Sequence, residues 1–312
     1  MSGHAVRRQF MKQFKGLSVS SRRISGLIVA SYVSQAMTAM GLGYWLLQQP
    51  QTVATGFGVA LVMFFIGTRL RGINNIVHEC SHSTFTRRRK DNVLFGRICA
   101  SLLLGTFRAY REEHMSHHVH CGDYEKDLDL QASRAFRLEE ALTPRTILRH
   151  ALTPVFGLHF RRLPSYNLSA QDGELYRALK IGLVAAAMIF LVLDPLAALV
   201  LVFLPFIWVY TAINYWTEVI DHAGLIGSED DLEASRNFIV PKQLSLILFP
   251  RNDCYHLVHH LFPQVPAPHY DACHEELLKH PDYRKRTEGS RARGAAGSGN
   301  IVRAKSDQTR AA

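Results

Sequence analysis

Cysteine is scarce in this chain, and the few that are present exclude several kinds of protein. The sequence of 312 residues has five cysteines, an odd number, and contains no CxxC pair. Neither a disulfide framework nor a cysteine-type zinc site is therefore expected, and we predict a reducing compartment. The glycine pattern GxGxxG is also missing, so the chain has no sign of a flavin-binding fold of its own.

Acidic residues are outnumbered by basic ones. The chain has 36 Lys and Arg against 26 Asp and Glu, a formal net charge of +10, and 47% hydrophobic residues. The basic residues lie mainly beside apolar segments and in the C-terminal tail. Nucleic-acid binding is the competing interpretation of a basic chain, but the apolar segments make a nucleic-acid partner unexpected.

Four apolar segments are long enough, or nearly so, to cross a bilayer. They cover about 26–47, 52–68, 178–193 and 196–220. Short linkers at 48–51 and 194–195 join them in pairs and hold no Lys or Arg. Because basic residues mark the cytoplasmic side, we predict two hairpins with both termini cytoplasmic.

We predict three regions along the chain: the membrane domain and a segment on either side of it. Residues 1–24 form a basic N-terminal segment that we expect to be loose or surface-lying. Residues 25–282 form the membrane domain. Residues 283–312, rich in Arg, Gly, Ala and Ser, are predicted to be a disordered basic tail.

Two further segments are predicted to lie near the membrane surface. The apolar stretch 93–107 is short for a span, so we expect a re-entrant or interfacial helix. Thr143 and Pro144 resemble an N-cap and first helical position. The helix that follows mixes apolar and Arg residues, which suits either an anionic membrane surface or an ordinary amphipathic helix.

Nine histidines form three tight clusters and one outlier. Residues at i, i+3 and i+4 share a helix face, so each cluster directs imidazoles toward one place. Imidazole suits zinc, copper, iron and nickel, and one zinc takes only about four ligands. The nine are too many for one such ion and enough for two with open positions: His78, His82, His114, His117, His118, His222, His256, His259 and His260.

This order of motifs is similar to that of the integral-membrane fatty acid desaturase and hydroxylase superfamily. The run HxxHHLFP at 256–263 closely resembles the last histidine box of that family, and the resemblance covers roughly 26–280. It implies an all-α integral membrane fold with four transmembrane helices and a cytoplasmic helical cap carrying the boxes. It also implies two irons ligated by the nine histidines, dioxygen as co-substrate, and an external electron donor such as ferredoxin.

Acidic residues are concentrated beside the histidines. Ligand imidazoles usually donate their other ring nitrogen to a carboxylate or similar partner. Glu218 lies one turn before His222, an offset at which some members of the resembled family have Asn. Two interpretations of Glu218 stay open: a carboxylate that binds iron or orients a metal-bound water, and a helix-end acid paired with an arginine. The candidate partners of the histidines are Glu79, Glu112, Glu113, Asp123, Asp127, Asp129, Asp221 and Asp253.

The resemblance implies oxidation of an unactivated C–H bond, by desaturation or alternatively by hydroxylation. The expected substrate is a lipid acyl chain or an amphipathic metabolite that enters from the bilayer. The segment 121–129 weakly resembles bacterial members that act on atypical substrates, including small amino-acid metabolites. A membrane metal-binding or transport protein is the alternative of another class, but transporters place their ligands near the middle of their spans.

Overall fold

The computed structural model describes residues 3–162, 166–228 and 230–295. Within these ranges the regular structure is helical, apart from one isolated bridge between Ser20 and Thr86. The helices are α1 Gly3–Phe10, α2 Arg22–Leu47, α3 Val53–Ser81, α4 Arg89–Leu102, α5 Phe107–His120, α6 Leu128–Gln131, α7 Pro144–Leu152, α8 Glu174–Leu193, α9 Pro195–Ala198, α10 Tyr210–His222, α11 Lys242–Leu248, α12 His256–Leu261, α13 Tyr270–Leu277 and α14 Pro281–Ala295.

Four helices are long and apolar enough to cross a membrane, as predicted. They are Arg22–Leu47, Val53–Ser81, Glu174–Leu193 and the continuous run Pro195–His222. That run contains a π-helical segment, Leu199–Val209, with Pro205 inside it. Proline has no N–H to donate, and a local π-helical adjustment is one way in which a membrane helix satisfies the backbone groups that proline frees.

The second span continues beyond its predicted end at residue 68 and carries the first histidine cluster. Two arginines end the apolar run without ending the helix, because each has partners in the fold. Arg69 donates to the carbonyl of Leu246 at 2.9 Å, and Arg71 donates to Asp253 at 2.6 Å. Buried charges persist when they are paired in this way.

The first two spans pack closely at the level of Gly72. A Cβ built on this glycine would lie 2.1 Å from the Tyr32 ring, so a side chain is excluded there. Nearer the other end, the spans form an apolar core with the fourth span, to which Ala39, Ile66 and Leu201 contribute. These contacts fix the position of α3, which carries the first histidines.

The stretch 93–107 is not a straight span. It lies in α4 as far as Leu102 and ends where α5 begins, and the axes of the two helices are bent by 103° at the short break between them. Asp172 accepts hydrogen bonds from the backbone N–H groups of Phe107, at 2.6 Å, and Arg108, at 3.3 Å. A carboxylate there satisfies the free N–H groups at the start of α5 and anchors the helix that carries the second cluster.

The predicted helix start at Thr143 and Pro144 is correct. The Thr143 side chain accepts from the N–H of Thr146, which returns a hydrogen bond in a capping box. The apolar face of α7 is uncovered, with Leu148 59% and Leu152 38% exposed. Uncovered apolar side chains at helical spacing are what an interfacial helix presents to lipid.

Parts of both terminal segments are helical in the described residues. Val6, Phe10 and Phe14 repeat at helical spacing and are buried against the third histidine cluster's segment, so the N-terminal segment is packed and not loose. Helix α14 occupies residues 281–295, where disorder was predicted from 283. Tyr283 accounts for the difference, because it is fully buried and its hydroxyl lies 2.8 Å from Nδ1 of His274. Residues 296–312 lie outside the described residues.

Candidate metal centre

Four structural elements bring the nine histidines together. The first cluster comes from the end of α3, the second from α5, the isolated His222 from the end of α10, and the third from α12. All nine side chains are buried or half-buried. They form two neighbouring groups, in each of which the candidate ligand atoms lie within 4.8 Å of one another. The five-histidine group is His78, His82, His114, His118 and His259, and the four-histidine group is His117, His222, His256 and His260.

Helical geometry divides the second and third clusters between the two groups. His114 and His118 are four residues apart and share one group, whereas His117 belongs to the other. In α12, His256 and His260 are likewise four apart and share the four-histidine group. An i,i+4 pair lies on one face, and the intervening histidine projects at a different angle. Each HxxHH run therefore serves both groups.

In the five-histidine group the Nε2 atoms converge. The Nε2 atoms of His78 and His259 are 2.7 Å apart, as are those of His82 and His114. His118 Nε2 lies 3.1 Å from that of His114 and 2.9 Å from that of His259. These separations make the group compact enough for its imidazoles to share one ion.

The four-histidine group converges in the same way. His256 Nε2 is 2.9 Å from Nε2 of His222 and 2.9 Å from Nε2 of His260. The ring of His117 lies 4.9 Å from that of His222 and 5.0 Å from that of His260. The group is thus compact enough to share one ion.

Two histidines of this group have a hydrogen-bond acceptor behind the ring, and a third, His256, has a carboxyl group at ion-pair distance. His117 Nδ1 lies 2.8 Å from the Asp127 carboxylate, which is completely buried. His256 Nδ1 lies 3.5 Å from the Asp221 carboxylate, and His222 Nδ1 lies 3.1 Å from the carbonyl oxygen of Ala234. An Nδ1–H donated outward leaves the Nε2 lone pair directed into the group, the tautomer that binds a metal.

The five-histidine group differs in the partners that lie behind its rings. His259 Nδ1 lies 3.0 Å from the hydroxyl of Tyr270, the one such partner that the described residues give to this group. Glu79, a predicted candidate partner, instead forms a bidentate ion pair with Arg251, whose Nε and Nη2 atoms lie 2.6 and 2.7 Å from the two carboxylate oxygens. Tyr270 and Arg251 were not predicted, and no motif in the sequence marks them.

The donor set fits ions that prefer nitrogen ligands. Burial, reinforced by neighbouring imidazoles, lowers the pKa of His256, His259 and His260 well below the ordinary value. These rings are therefore neutral at neutral pH, and neutral imidazole is the form that binds a metal. All-imidazole sites suit iron, zinc, copper and nickel, and are poorly matched to magnesium or calcium.

Glu218 lies beside the four-histidine group without belonging to it. Its Oε1 accepts a 2.6 Å hydrogen bond from Ser133, and its side chain lines the cavity next to His222. Its proposed role at the metal stays a prediction. Of the other predicted acids, Asp253 pairs with Arg71.

A cavity of about 380 Å³ adjoins both groups. Histidines of the five-histidine group, His78 and His114, and of the four-histidine group, His117 and His222, lie in its wall. Much of the rest of the wall comes from α3, the α4–α5 bend, α6 and α10, and it mixes polar with apolar side chains. A molecule bound there would contact both histidine groups.

The sequence pattern that defines the fatty acid desaturase family matches residues 53–290, a range that contains all nine histidines. The chain belongs to the fatty acid desaturase family. Membership, together with the four candidate spans, indicates an integral membrane protein.

Individual relatives differ in what they act on. The chain is 25% identical to a dihydrorhizobitoxine desaturase of Bradyrhizobium elkanii over 246 residues, 72% of this chain and 69% of that protein. It is 35% identical to an sn-1 oleoyl-lipid 12-desaturase of Anabaena variabilis over 92 residues, 30% of this chain and 25% of that protein. It is 26% identical to an endoplasmic-reticulum omega-3 fatty acid desaturase of Vigna radiata var. radiata over 232 residues, 65% of this chain and 60% of that protein. The last two matches cover less than two thirds of the relatives' own lengths.

Proposed function

We propose that the protein is an oxygen-dependent desaturase of a lipid acyl chain or amphipathic metabolite, with two irons held by the nine histidines. The observation that carries this proposal is the division of those histidines into two adjacent groups beside one cavity. Two irons bound there would supply the oxidation of an unactivated C–H bond by dioxygen. The relatives, which are desaturases by name, favour desaturation over the alternative, hydroxylation.

The protein's own contribution is to hold the ligands and the substrate. Asp127 keeps the ring of His117 oriented with Nε2 inward, and Asp221 lies 3.5 Å behind the ring of His256. The cavity wall aligns a substrate past both histidine groups, so its position decides which C–H bond is nearest the irons. Glu218, on that wall, is proposed to orient a metal-bound water or bind iron directly. The protein supplies position and electrostatics, and the cofactor supplies the oxidation.

The proposed topology has two helical hairpins, with the histidine-bearing cap and both termini in the cytoplasm. In this arrangement a small acidic electron carrier such as ferredoxin would dock on the basic cytoplasmic face. Cysteines placed at Gln49 and Asp194 test the topology. We expect both to be labelled only from the side opposite the termini. Labelling of either from the cytoplasm would refute the two-hairpin arrangement.

Metal transport has less support. The described histidine groups lie at the ends of α3 and α10, whereas transport sites lie near the middle of spans. The deciding experiment is mass spectrometry of products in cells expressing the protein or its His118→Ala variant. We expect alkene products that need dioxygen and are lost in the variant. Alcohols in their place would establish hydroxylation, and identical product profiles would refute the enzyme assignment.

A further inference from the structure

An apolar surface lies on the segment 238–250, between the fourth span and the third histidine cluster. Lys242 is the one charged residue in this stretch. Helix α11 occupies part of it and, with seven residues, is too short to cross a bilayer. Large apolar side chains nevertheless face outward along the segment, with Leu246 63% exposed; the others are Phe238, Ile239, Leu244 and Ile247. Apolar side chains exposed together in this way mark a surface that contacts a partner or a membrane.

The depth of α11 in the membrane follows from its contact with the second span. Arg69 on α3 donates to the carbonyl oxygen of Leu246 at 2.9 Å and to that of Ile247 at 3.2 Å. Arg69 lies sixteen residues after Val53, where α3 begins beside the linker 48–51, and this is about 24 Å along the helix. The hydrocarbon core of a bilayer is about 30 Å thick, so the backbone of Arg69 lies within it.

The first span gives a second measure of the same depth. Arg69 also donates to Oε1 of Gln35 at 3.0 Å. Gln35 lies twelve residues before Leu47, the end of α2 beside the same linker, and this is about 18 Å along that helix. Tyr44 and Trp45 are exposed near this end, as is typical of a membrane–water interface. The two helices thus place the Arg69 contacts roughly 6 to 12 Å inside the hydrocarbon core on the histidine side, and a tilt of either helix would place them deeper.

The Arg69 contacts satisfy the polar groups that a helix end exposes at this depth. Leu246 lies in the last turn of α11, and the residue that would donate to its carbonyl is Pro250, which has no N–H. Because the hydrocarbon core holds no water, such a carbonyl needs a donor from the protein, and the Arg69 guanidinium supplies it. Arg69 is itself 5% exposed and lies 4.6 Å from the centre of the Phe65 ring. An ionisable residue at membrane depth commonly pairs with backbone carbonyls in this way.

We infer that the segment 238–249 re-enters the bilayer, where its apolar side chains contact lipid acyl chains. The partner of this surface is therefore lipid, and not a second copy of the chain or another protein. The inference goes beyond the proposed function, because it rests on the spans α2 and α3 and not on the reaction. The N–H of Phe238 donates to the carbonyl of Cys254 at 2.8 Å, two residues before His256. The membrane contact thus supports the chain that leads into the third histidine cluster.

The test measures whether lipid or water reaches the side chain at position 246. Leu246→Cys is labelled with bimane in phosphatidylcholine nanodiscs, whose acyl chains either carry bromine atoms or do not. Leu61→Cys, at an exposed position on α3, is the lipid reference. Lys279→Cys, at a position whose side chain is 67% exposed, is the water reference. The labelled parent protein gives the background from the native cysteines, which are buried or half-buried.

We expect brominated acyl chains to quench the label at Leu246 as they do at Leu61, and iodide to quench it several-fold less than at Lys279. Quenching by iodide alone would overturn the inference, because α11 would then lie in water. Protection from both quenchers would also overturn it, because protein would then cover the surface. If brominated lipid failed to quench at Leu61 as well, the spans themselves would be refuted, and the inference with them. Turnover is not measured, so no result here decides the proposed reaction.

Discussion

The two histidine groups have similar geometry but different support. The four-histidine group has a carboxylate hydrogen-bonded to one ring, Asp127 behind His117, and a second carboxyl group, Asp221, 3.5 Å behind His256. The five-histidine group has one more imidazole and, among the described residues, a single outer partner, the hydroxyl of Tyr270. A carboxylate behind an imidazole fixes the ring and raises its basicity, whereas a neutral hydroxyl does so less. The five-histidine group thus has more imidazole ligands, whereas the four-histidine group has the ligands whose basicity a carboxylate raises.

The largest expected effect comes from removing an imidazole itself. His259 belongs to the five-histidine group and lies on α12, which serves both groups. We expect His259→Ala to abolish turnover and to lower iron content well below two per chain, as measured by elemental analysis. His269→Ala, a nearby histidine outside both groups, is the matched control and should keep iron and activity. A fully metallated, active His259→Ala protein would refute the site.

A smaller effect is expected from removing a charge behind an imidazole. Asp127→Asn keeps a side-chain oxygen that can still accept from the backbone at the start of α6, but it removes the carboxylate facing His117. Changes to such outer partners commonly cost 10- to 100-fold in metal affinity, and we expect that loss in competition with a chelator. Tyr270→Phe should cost less. If Tyr270→Phe proved the costlier change, the contrast between the two groups would be wrong.

The sequence predicted the helices and the gathering of the histidines for clear physical reasons. Apolar length predicts a span, and i,i+4 spacing predicts a shared face, as in His256 and His260. It could not predict which imidazole joins which group, because that depends on the angles between helices from distant parts of the chain. Nor could it predict Tyr270, since one tyrosine eleven residues beyond His259 carries no pattern. The packing of the N-terminal segment was not predicted, because its many basic residues favoured a loose segment over the helix indicated by the apolar spacing of Val6 and Phe10.

Glu218 gives a third and more local test. Glu218→Gln keeps size and can still accept the hydrogen bond from Ser133, so stability should change by less than about 1 kcal/mol, as for acids near solvent. Activity should fall about 10-fold or more if the charge orients a metal-bound water, since changes behind a metal commonly cost that much. Glu139→Gln, which removes an exposed acid bonded to Tyr124, is the control. If Glu218→Gln kept the turnover and the iron content of the parent protein, the role of Glu218 would be structural only.

The smallest effect concerns a contact that supports both groups at once. Arg7 on α1 donates to the backbone carbonyls of His260, at 2.9 Å, and Leu261, at 3.0 Å, and pairs with Asp231 at 2.9 Å. These carbonyls lie at the end of α12, where a cation is favourable. Arg7→Ala should lower the free energy of unfolding by about 1–3 kcal/mol, since each hydrogen bond contributes about 1 kcal/mol and the partly exposed ion pair less.

Because α12 supplies histidines to both groups, Arg7→Ala should weaken metal binding at both sites by a similar few-fold factor. Asp127→Asn, by contrast, should weaken the four-histidine group alone. The control is Arg8→Ala, whose side chain is exposed on the same helix and should be neutral. Stepwise iron loss against chelator concentration measures both sites in one titration. If Arg7→Ala lost iron from one histidine group only, α12 would not couple the two sites. Each site would then depend on its own surroundings alone.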